Sequence, residues 1–225
     1  MEIKPIARIH TDFPEKFGVP RQSGLAPSLT GQIIFEPEYR SVQALKELDG
    51  FSHIWLIWEF SQCLDSEFSP TVRPPRLGGN RRVGVFASRS PFRPNRLGLS
   101  CVKIEKIETE GKNAPVITVS GVDMTDGTPI YDIKPYIPLA DCKPDASEGY
   151  TAKTKNYKIA VNCDKNMLSE IPEEKRDALL ELLANDPRPA YKNEDGKEYG
   201  VTFAGFNVRF IYENNSLSVT EIEEV

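Results

Sequence analysis

Arginine side chains are concentrated in one acid-free stretch of this 225-residue chain. Between Phe68 and Ile104 there are seven arginines and one lysine, and no aspartate or glutamate. The whole chain has a net charge of −5, so removing these eight positive charges leaves −13 on the rest. Concentrated positive charge attracts phosphate-rich partners and holds them through backbone contacts. The stretch therefore predicts a nucleic-acid partner, with a bound anionic cofactor as the second candidate.

Proline and glycine interrupt this basic stretch so often that no long helix can carry its arginines. The interruptions are Pro70, Pro74, Pro75, Gly78, Gly79, Pro91, Pro94 and Gly98. The arginines are therefore expected on loops, where binding groups usually lie and where glycine lets a ligand approach the backbone. The alternative is that they are solvated or paired with acids elsewhere in the fold.

Composition indicates a globular protein with one large domain, or a main domain with a small appendage. Apolar residues make up 39% of the chain and charged residues 27%. No run approaches the roughly 20 apolar residues of a membrane span, and residues 1–5 lack the layout of a secretion signal. We therefore expect a cytoplasmic protein with no membrane partner.

Four cysteines and two histidines limit the metal and redox chemistry of the chain. The cysteines are spaced too widely for a zinc knuckle or a redox pair, at Cys63, Cys101, Cys142 and Cys163. The sequence predicts four reduced thiols, used mainly in core packing, and no metal site.

Short runs rich in Ile, Val and aromatic residues dominate the first 140 residues and are typical of β-strands. The six runs are Ile3–Ile9, Gln32–Phe35, His53–Phe60, Val83–Phe86, Ser100–Ile107 and Val116–Val122. They predict a closed or nearly closed barrel, so the expected fold is mainly β. One short helix is expected over Val42–Leu48, with Ser41 as its N-cap and Asp49-Gly50 as its end.

The rest of the chain predicts a connector and a second, smaller unit. Residues 141–165 have the polar composition of a connector, and residues 166–225 predict a small α+β domain. A helix is expected over Ile171–Leu183, with acids in its first turn and apolar positions at helical spacing. Strands are predicted at Gly200–Phe203, Asn207–Tyr212 and Ser216–Ile222. About 60 residues are marginal alone, so this unit is expected to pack on the first domain or on another subunit.

Familiar nucleotide-binding and hydrolase fingerprints are absent from the sequence. It has no G-x-G-x-x-G after a strand, no G-x-x-x-x-G-K-[ST], no H-E-x-x-H and no nucleophile elbow. Any cofactor must therefore be bound by another architecture.

Six longer strings do stand out, and together they extend over nearly the whole chain. They are KFGVPRQ (residues 16–22), PTVRPPRLGG (70–79), GVFASRSPFRPNRLGLS (84–100), DGTPIYDIKPY (126–136), DPRPAY (186–191) and FNVRF (206–210). These strings closely resemble the TsaA/TrmO family of S-adenosylmethionine-dependent tRNA methyltransferases.

The resemblance implies a non-Rossmann β-barrel domain that binds S-adenosylmethionine over residues 1–140, a tRNA-contacting domain over residues 166–225, and a homodimer. It also implies methylation of the N6 nitrogen of N6-threonylcarbamoyladenosine, at position 37 in the anticodon loop of tRNA. The strand-rich texture, the missing glycine fingerprint and the basic loops agree with these expectations.

The family's cofactor contacts carry over onto five short segments. They correspond to Pro20, Arg21, Gln22, Ser61, Gln62, Arg89, Leu99, Ser120, Gly121, Val122 and Asp123. The guanidinium of Arg21 or Arg89 suits the cofactor carboxylate, and Asp123 or Gln62 suits its ribose hydroxyls or ammonium. The alternatives are a structural salt bridge for Arg89, and core positions for Leu99 and Val122.

Methyl transfer from a sulfonium requires alignment and exclusion of water more than acid–base power. A modest base or a water molecule could accept the proton of the ureido nitrogen. Asp126 and Tyr131 are candidate bases from their position, although Asp126-Gly127 also fits an ordinary turn. His53 fits a structural role at least as well as a catalytic one.

The remaining arginines are assigned to tRNA phosphates, with bracing of the loops as the alternative. They are Arg73, Arg76, Arg81, Arg82, Arg93 and Arg96. Arg188 and Tyr191 are candidates for contact with the anticodon loop or the threonylcarbamoyl carboxylate, although Pro187 and Pro189 alone could explain that string as a rigid helix exit. Two other functions stay open: a tRNA-binding module without transfer activity, and a methyltransferase for another small anionic acceptor.

Overall fold

The computed structural model describes residues 2–63, 67–74, 77, 81–153, 155, 157–188 and 196–225. The strands within these residues are β1 (Ala7–Thr11), β2 (Thr30–Phe35), β3 (His53–Glu59), β4 (Thr71–Val72), β5 (Val83–Gly84), β6 (Leu97–Glu108), β7 (Val116–Ser120), β8 (Thr128–Pro135), β9 (Ala160–Asn162), β10 (Glu198–Phe203), β11 (Phe206–Glu213) and β12 (Ser216–Glu224). The α-helices are α1 (Pro138–Asp141), α2 (Lys165–Ser169) and α3 (Glu173–Ala184).

Six antiparallel strands close into a barrel in the order β1–β2–β7–β6–β3–β8. In β3, every second side chain points into the barrel: Ile54, Leu56 and Trp58 are buried, and the residues between them are partly exposed. This period of two follows from the pleat of a strand, which sends successive side chains to opposite faces. The mainly β fold expected from the sequence is confirmed.

One of the six barrel strands, β8, was not predicted from the sequence. The predicted strand Val83–Phe86 is only two residues long, pairs with β4 in a separate hairpin, and is followed by a 3₁₀ turn at Val85–Ala87. The barrel is closed instead by β8, which pairs with β1 and β3. Pro129 and Pro135 weaken the strand signal of β8, because proline cannot donate to a ladder and is depleted in strands.

Two further predictions near the N-terminus are corrected. The first strand begins at Ala7 rather than Ile3. The helix expected over Val42–Leu48 is instead a pair of 3₁₀ turns, Val42–Leu45 and Leu48–Gly50, and the Ser41 side chain caps neither. Neither turn has a buried residue, so the segment lacks the packed apolar face from which helices in proteins gain most of their stability.

The C-terminal part of the chain forms a four-stranded sheet in the order β10–β11–β12–β9. Its edge strand β9 lies within residues 141–165, where only a connector was expected, and pairs in parallel with β12. The predicted helix is present as α3, and its buried side chains are Ala178, Leu179, Leu182 and Leu183. Their helical spacing places one apolar stripe against the core.

The end of α3 packs against the loop that joins β1 to β2, residues 12–29, which we call the β1–β2 loop. The Glu181 carboxylate accepts hydrogen bonds from the backbone N–H and the hydroxyl of Ser28, at 2.9 and 3.1 Å. Asn185 Nδ2 donates to the Leu25 carbonyl oxygen at 3.0 Å. The rings of Phe13 and Phe203 also meet, with centroids 5.5 Å apart. The C-terminal sheet and helix therefore pack against the β1–β2 loop.

We expect Gly18→Ala to destabilise this contact. Gly18 has φ +93°, and a Cβ there would lie 2.3 Å from Cγ2 of Val201 in β10. Backbone strain of about 1–2 kcal/mol should add to an overpacking cost of about 1–3 kcal/mol. Gly205→Ala is the matched control, because Gly205 has φ +83° and open space around its Cβ position. Denaturant unfolding should show the larger loss for Gly18→Ala, and equal losses would contradict the contact.

Candidate functional site

A cleft of about 1440 Å³ opens at the end of the barrel where β3 ends and β6 and β8 begin. Its floor includes Trp58, Gly98 and Thr128, and its walls come from the β1–β2 loop and from the basic loops that flank β4 and β5. A smaller hollow of about 430 Å³, between Asp49–Ser52 and Ile104–Ile107, contains none of the predicted site residues. The larger cleft is therefore the candidate site.

Eight of the eleven predicted cofactor residues line this cleft. They are Pro20, Arg21, Gln22, Ser61, Gln62, Arg89, Leu99 and Asp123. They come from the β1–β2 loop, the turn after β3, the basic loop, β6 and the segment after β7. Barrel closure brings these distant segments to one end of the sheet, which is where strand ends and loops can surround a ligand.

The other three predicted cofactor residues lie behind the cleft rather than on its surface. Ser120 donates its hydroxyl to Glu105 Oε1 at 2.6 Å, and Val122 is buried in the core. The Gly121 carbonyl accepts a hydrogen bond from the backbone N–H of Gly24 at 2.9 Å. These three residues therefore support the β1–β2 loop from behind and do not line the cleft.

A buried hydrogen-bond chain leads from the barrel interior to Asp123. Trp58 Nε1 donates to the Ser100 hydroxyl at 2.9 Å, and that hydroxyl donates to Asp123 Oδ1 at 2.6 Å. The Trp58 ring lies against Gly98, where a Cβ would come within 2.3 Å of the ring. Trp58 and Ser100 were not among the site residues predicted from the sequence, although Ser100 ends the longest of the six family strings.

Burial raises the pKa of Asp123 to about 6, against the opposing effects of the Ser100 hydrogen bond and the Arg89 charge. The carboxyl group therefore changes charge close to neutral pH. Carboxyl groups with such raised pKa values are enriched in functional clefts. The arginine-rich cleft is therefore lined by an acid, Asp123, whose charge changes near neutral pH.

Arg89 contacts the β1–β2 loop across the cleft. Its Nη1 donates to Gln22 Oε1 at 2.6 Å, and the side chain is otherwise exposed. Within the described residues, Arg89 forms no ion pair with a carboxylate. The structural salt bridge considered as its alternative role is therefore not found in this part of the chain.

The arginines assigned to tRNA separate into two groups. Arg73, Arg82 and Arg93 line the cleft, whereas Arg81 and Arg96 do not. Arg93 also braces its own loop, because Nη1 donates to the carbonyls of Ser88 and Ser90 at 2.9 and 3.3 Å. Arg76 lies outside the described residues.

Arg188 occupies a different place from the one expected for a substrate contact. It is 4% exposed and forms a two-point ion pair with Asp186, Nε to Oδ1 at 2.7 Å and Nη2 to Oδ2 at 2.9 Å. The structure therefore places this guanidinium in a buried pair rather than on a surface open to RNA. Tyr191 lies outside the described residues.

Neither of the candidate bases lines the cleft. Asp126 Oδ1 accepts the backbone N–H of Thr11 at 3.0 Å and lies 3.1 Å from His10 Nδ1. The Tyr131 hydroxyl donates to Glu59 Oε2 at 2.8 Å, and Glu59 does line the cleft. Glu59 was not among the site residues predicted from the sequence, although it directly follows the apolar residues of β3.

Other ligand chemistry has little support in the described residues. Their His, Cys, Asp and Glu side chains form no group of three that could hold a metal ion. All four cysteines are free thiols. No helix in the described ranges is both long and apolar enough to span a bilayer.

A closed antiparallel barrel with a cationic cleft at one end defines a protein of the non-Rossmann, β-barrel class. Residues 8–142 match the family model of the tRNA-methyltransferase O N-terminal domain, and residues 156–225 match that of the TrmO C-terminal domain. The chain belongs to the tRNA-methyltransferase O family.

Individual relatives agree with this assignment. The tRNA (adenine(37)-N6)-methyltransferase of Escherichia coli is 40% identical, over 99% of this chain and 97% of its own. A Pseudomonas aeruginosa protein, RcsF, provisionally named an S-adenosylmethionine-dependent methyltransferase, is 42% identical over 93% of this chain and 92% of its own. A crystal structure of TrmO from P. aeruginosa matches with a TM-score of 0.80 at 33% identity, covering 100% of this chain and 97% of that one.

Proposed function

We propose that the protein transfers a methyl group from S-adenosylmethionine to the N6 nitrogen of N6-threonylcarbamoyladenosine at position 37 of tRNA. The observation that carries the proposal is the gathering of eight family cofactor positions in one cleft, beside arginines from the acid-free stretch. The names of the E. coli and P. aeruginosa relatives support the reaction and the cofactor.

The donor groups of the cleft fit S-adenosylmethionine. Arg89 and Arg21 supply guanidinium groups for its carboxylate, and Asp123 and Gln62 supply acceptors for its ribose hydroxyls or ammonium. When bound, the cofactor supplies an electrophilic methyl group on a sulfonium. The protein's own contribution is to orient the acceptor nitrogen in line with that methyl group and to exclude water.

We assign Glu59 as the acceptor of the proton that leaves the ureido nitrogen. Glu59 and Asp123 are the two carboxylates that line the described part of the cleft, and Asp123 is assigned to the cofactor. Tyr131 holds Glu59 by donating to its Oε2, so the carboxylate is oriented at the cleft surface. A positioned carboxylate is a suitable base for this mildly acidic proton.

We assign the phosphates of the anticodon loop to Arg73, Arg81 and Arg82, which are exposed and lie on or beside the cleft. Exposed guanidinium groups contribute through counterion release, which makes binding steeply dependent on salt. We further propose that residues 1–140 form the cofactor-binding domain and that residues 166–225 contact tRNA.

A homodimer is proposed from exposed apolar surface at the cleft mouth. Leu97 and Leu99 of β6 are 38% and 47% exposed, and Phe86 is 75% exposed. A second copy would cover part of this surface. Sedimentation equilibrium should give twice the chain mass, and a monomer at micromolar concentration would contradict this assembly.

The substrate assignment is tested with tRNA from cells that make, or lack, the threonylcarbamoyl modification. With labelled S-adenosylmethionine, methyl transfer should occur only to the modified tRNA. Equal transfer to both would contradict the acceptor. Tight tRNA binding without cofactor binding would favour a tRNA-binding module, and transfer only to a small anionic metabolite would favour the third function considered above.

A further inference from the structure

The turn that follows α3 is held by an ion pair within it and by two tyrosines from other segments. The Asp186 carboxylate accepts hydrogen bonds from Arg188 Nε and Nη2 and, at 2.9 Å, from the Tyr157 hydroxyl. The Arg188 guanidinium carbon lies 3.3 Å from the ring centroid of Tyr212. Asp186 has φ +53°, which is uncommon for a residue other than glycine. These contacts hold the backbone of residues 186–188 in one conformation.

The buried ion pair inside this turn adds little net stability to the fold. Arg188 is 4% exposed, and its Nη1 is buried with no hydrogen-bond partner among the residues that the structure describes. Desolvation of a buried pair cancels much of its attraction, and apolar replacements are often as stable. An unsatisfied buried donor adds a further cost. The arrangement therefore suggests that the turn has a use beyond stability.

The carbonyl oxygens of this turn anchor a residue of the cleft. Arg21 Nη2 donates to the carbonyl oxygens of Asp186 and Arg188, at 3.4 and 3.0 Å. Arg21 belongs to the β1–β2 loop and lines the cleft. The bonds from Ser28 to Glu181, described above, anchor the same loop to α3. One wall of the cleft is therefore attached to the C-terminal part of the chain.

We propose that Arg188 is a positioning residue: by holding the 186–188 turn it fixes the Arg21 guanidinium, and through Arg21 it sets the affinity of the cleft for the cofactor carboxylate. The inference rests on the proposed function, because it uses the assignment of Arg21 to S-adenosylmethionine. It gives the C-terminal part of the chain a role in cofactor binding, separate from contact with RNA.

A double-mutant cycle on the full-length protein tests this role. We expect Arg188→Met to raise the Kd for S-adenosylmethionine about tenfold, the loss of roughly one charge-assisted hydrogen bond. In the Arg21→Ala background the same substitution should change the Kd by less than about twofold, because its effect acts through Arg21. Additive effects would overturn the proposal. Asp186→Asn, which retains the side-chain shape, should repeat the result and serves if Arg188→Met does not fold.

The matched control is Val219→Ala. Val219 is 6% exposed in β12 and pairs with Phe210 rather than with Tyr212, so this change should lower thermal stability and leave the cofactor Kd unchanged. If Val219→Ala weakens cofactor binding as much as Arg188→Met does, at a temperature well below unfolding, the role of Arg188 is structural only. If the wild-type protein binds no S-adenosylmethionine, the proposed function fails as well, whereas additivity with intact binding and tRNA methylation overturns the positioning role alone.

Discussion

Replacement of Asp123 by asparagine is expected to raise the Kd for S-adenosylmethionine at pH 8 about tenfold to a hundredfold. The ionised carboxylate is the stronger acceptor for a ribose hydroxyl and the only form that attracts an ammonium. Because the pKa of Asp123 is about 6, wild-type affinity should rise as pH increases through 6. Calorimetric titrations between pH 5 and pH 8 should show this rise for the wild type and a flat profile for Asp123→Asn.

Stability should respond to pH in the opposite direction to binding. The folded-state pKa of Asp123, about 6, is above its ordinary value of 3.8, so the folded protein binds the proton more tightly than the unfolded chain. The corresponding stability is present below about pH 4 and is lost as pH rises through about 6. Between pH 4 and pH 8 the wild type should lose about 2 kcal/mol relative to Asp123→Asn in urea unfolding. Parallel pH profiles would contradict the burial of this carboxyl group.

Glu59→Gln is expected to lower kcat about a hundredfold, because it removes the proton acceptor and keeps the shape of the side chain. The Kd values for S-adenosylmethionine and tRNA should stay within about twofold, since a glutamine can still accept from Tyr131. Single-turnover methylation of modified tRNA, with both ligands saturating, isolates the chemical step.

Tyr131→Phe is the matched control for Glu59. It removes only the hydrogen bond that orients the carboxylate, so the fall in kcat should be smaller. Burial and the Glu59 hydrogen bond raise the pKa of Tyr131, so we expect its hydroxyl to stay protonated and to donate to Glu59 in the assay. An unchanged kcat for Glu59→Gln would contradict the role of Glu59 and indicate that water accepts the proton.

Sequence patterns predicted those parts of the molecule that depend on local information. The Ile, Val and aromatic content of β3, β6 and β7 predicted barrel strands, and the spacing of Leu179, Leu182 and Leu183 predicted α3. Proline and glycine placed the arginines on loops. The family strings then predicted cofactor positions, eight of which the barrel brings together at one end.

The missed features depend on contacts between distant residues. β8 is defined by its pairing with β1 and β3, which overrides a sequence containing two prolines. The Trp58–Ser100–Asp123 chain links β3, β6 and the segment after β7, which are distant in sequence and become neighbours only when the strands pair. For Arg188, the residue type suggested an anion outside the protein, but Asp186, only two residues away, supplies the carboxylate.

Calorimetric titration of three proteins with S-adenosylmethionine would show whether the arginine-lined end of the barrel binds the cofactor. The wild type should bind one S-adenosylmethionine per chain, and Arg89→Ala should raise the Kd about tenfold or more, because it removes a charged contact to the carboxylate. Arg81→Ala, an exposed arginine outside the cleft lining, should leave the Kd unchanged and weaken tRNA binding only. Equal Kd values for wild type and Arg89→Ala, or no binding by the wild type, would mean that this cleft is not the cofactor site.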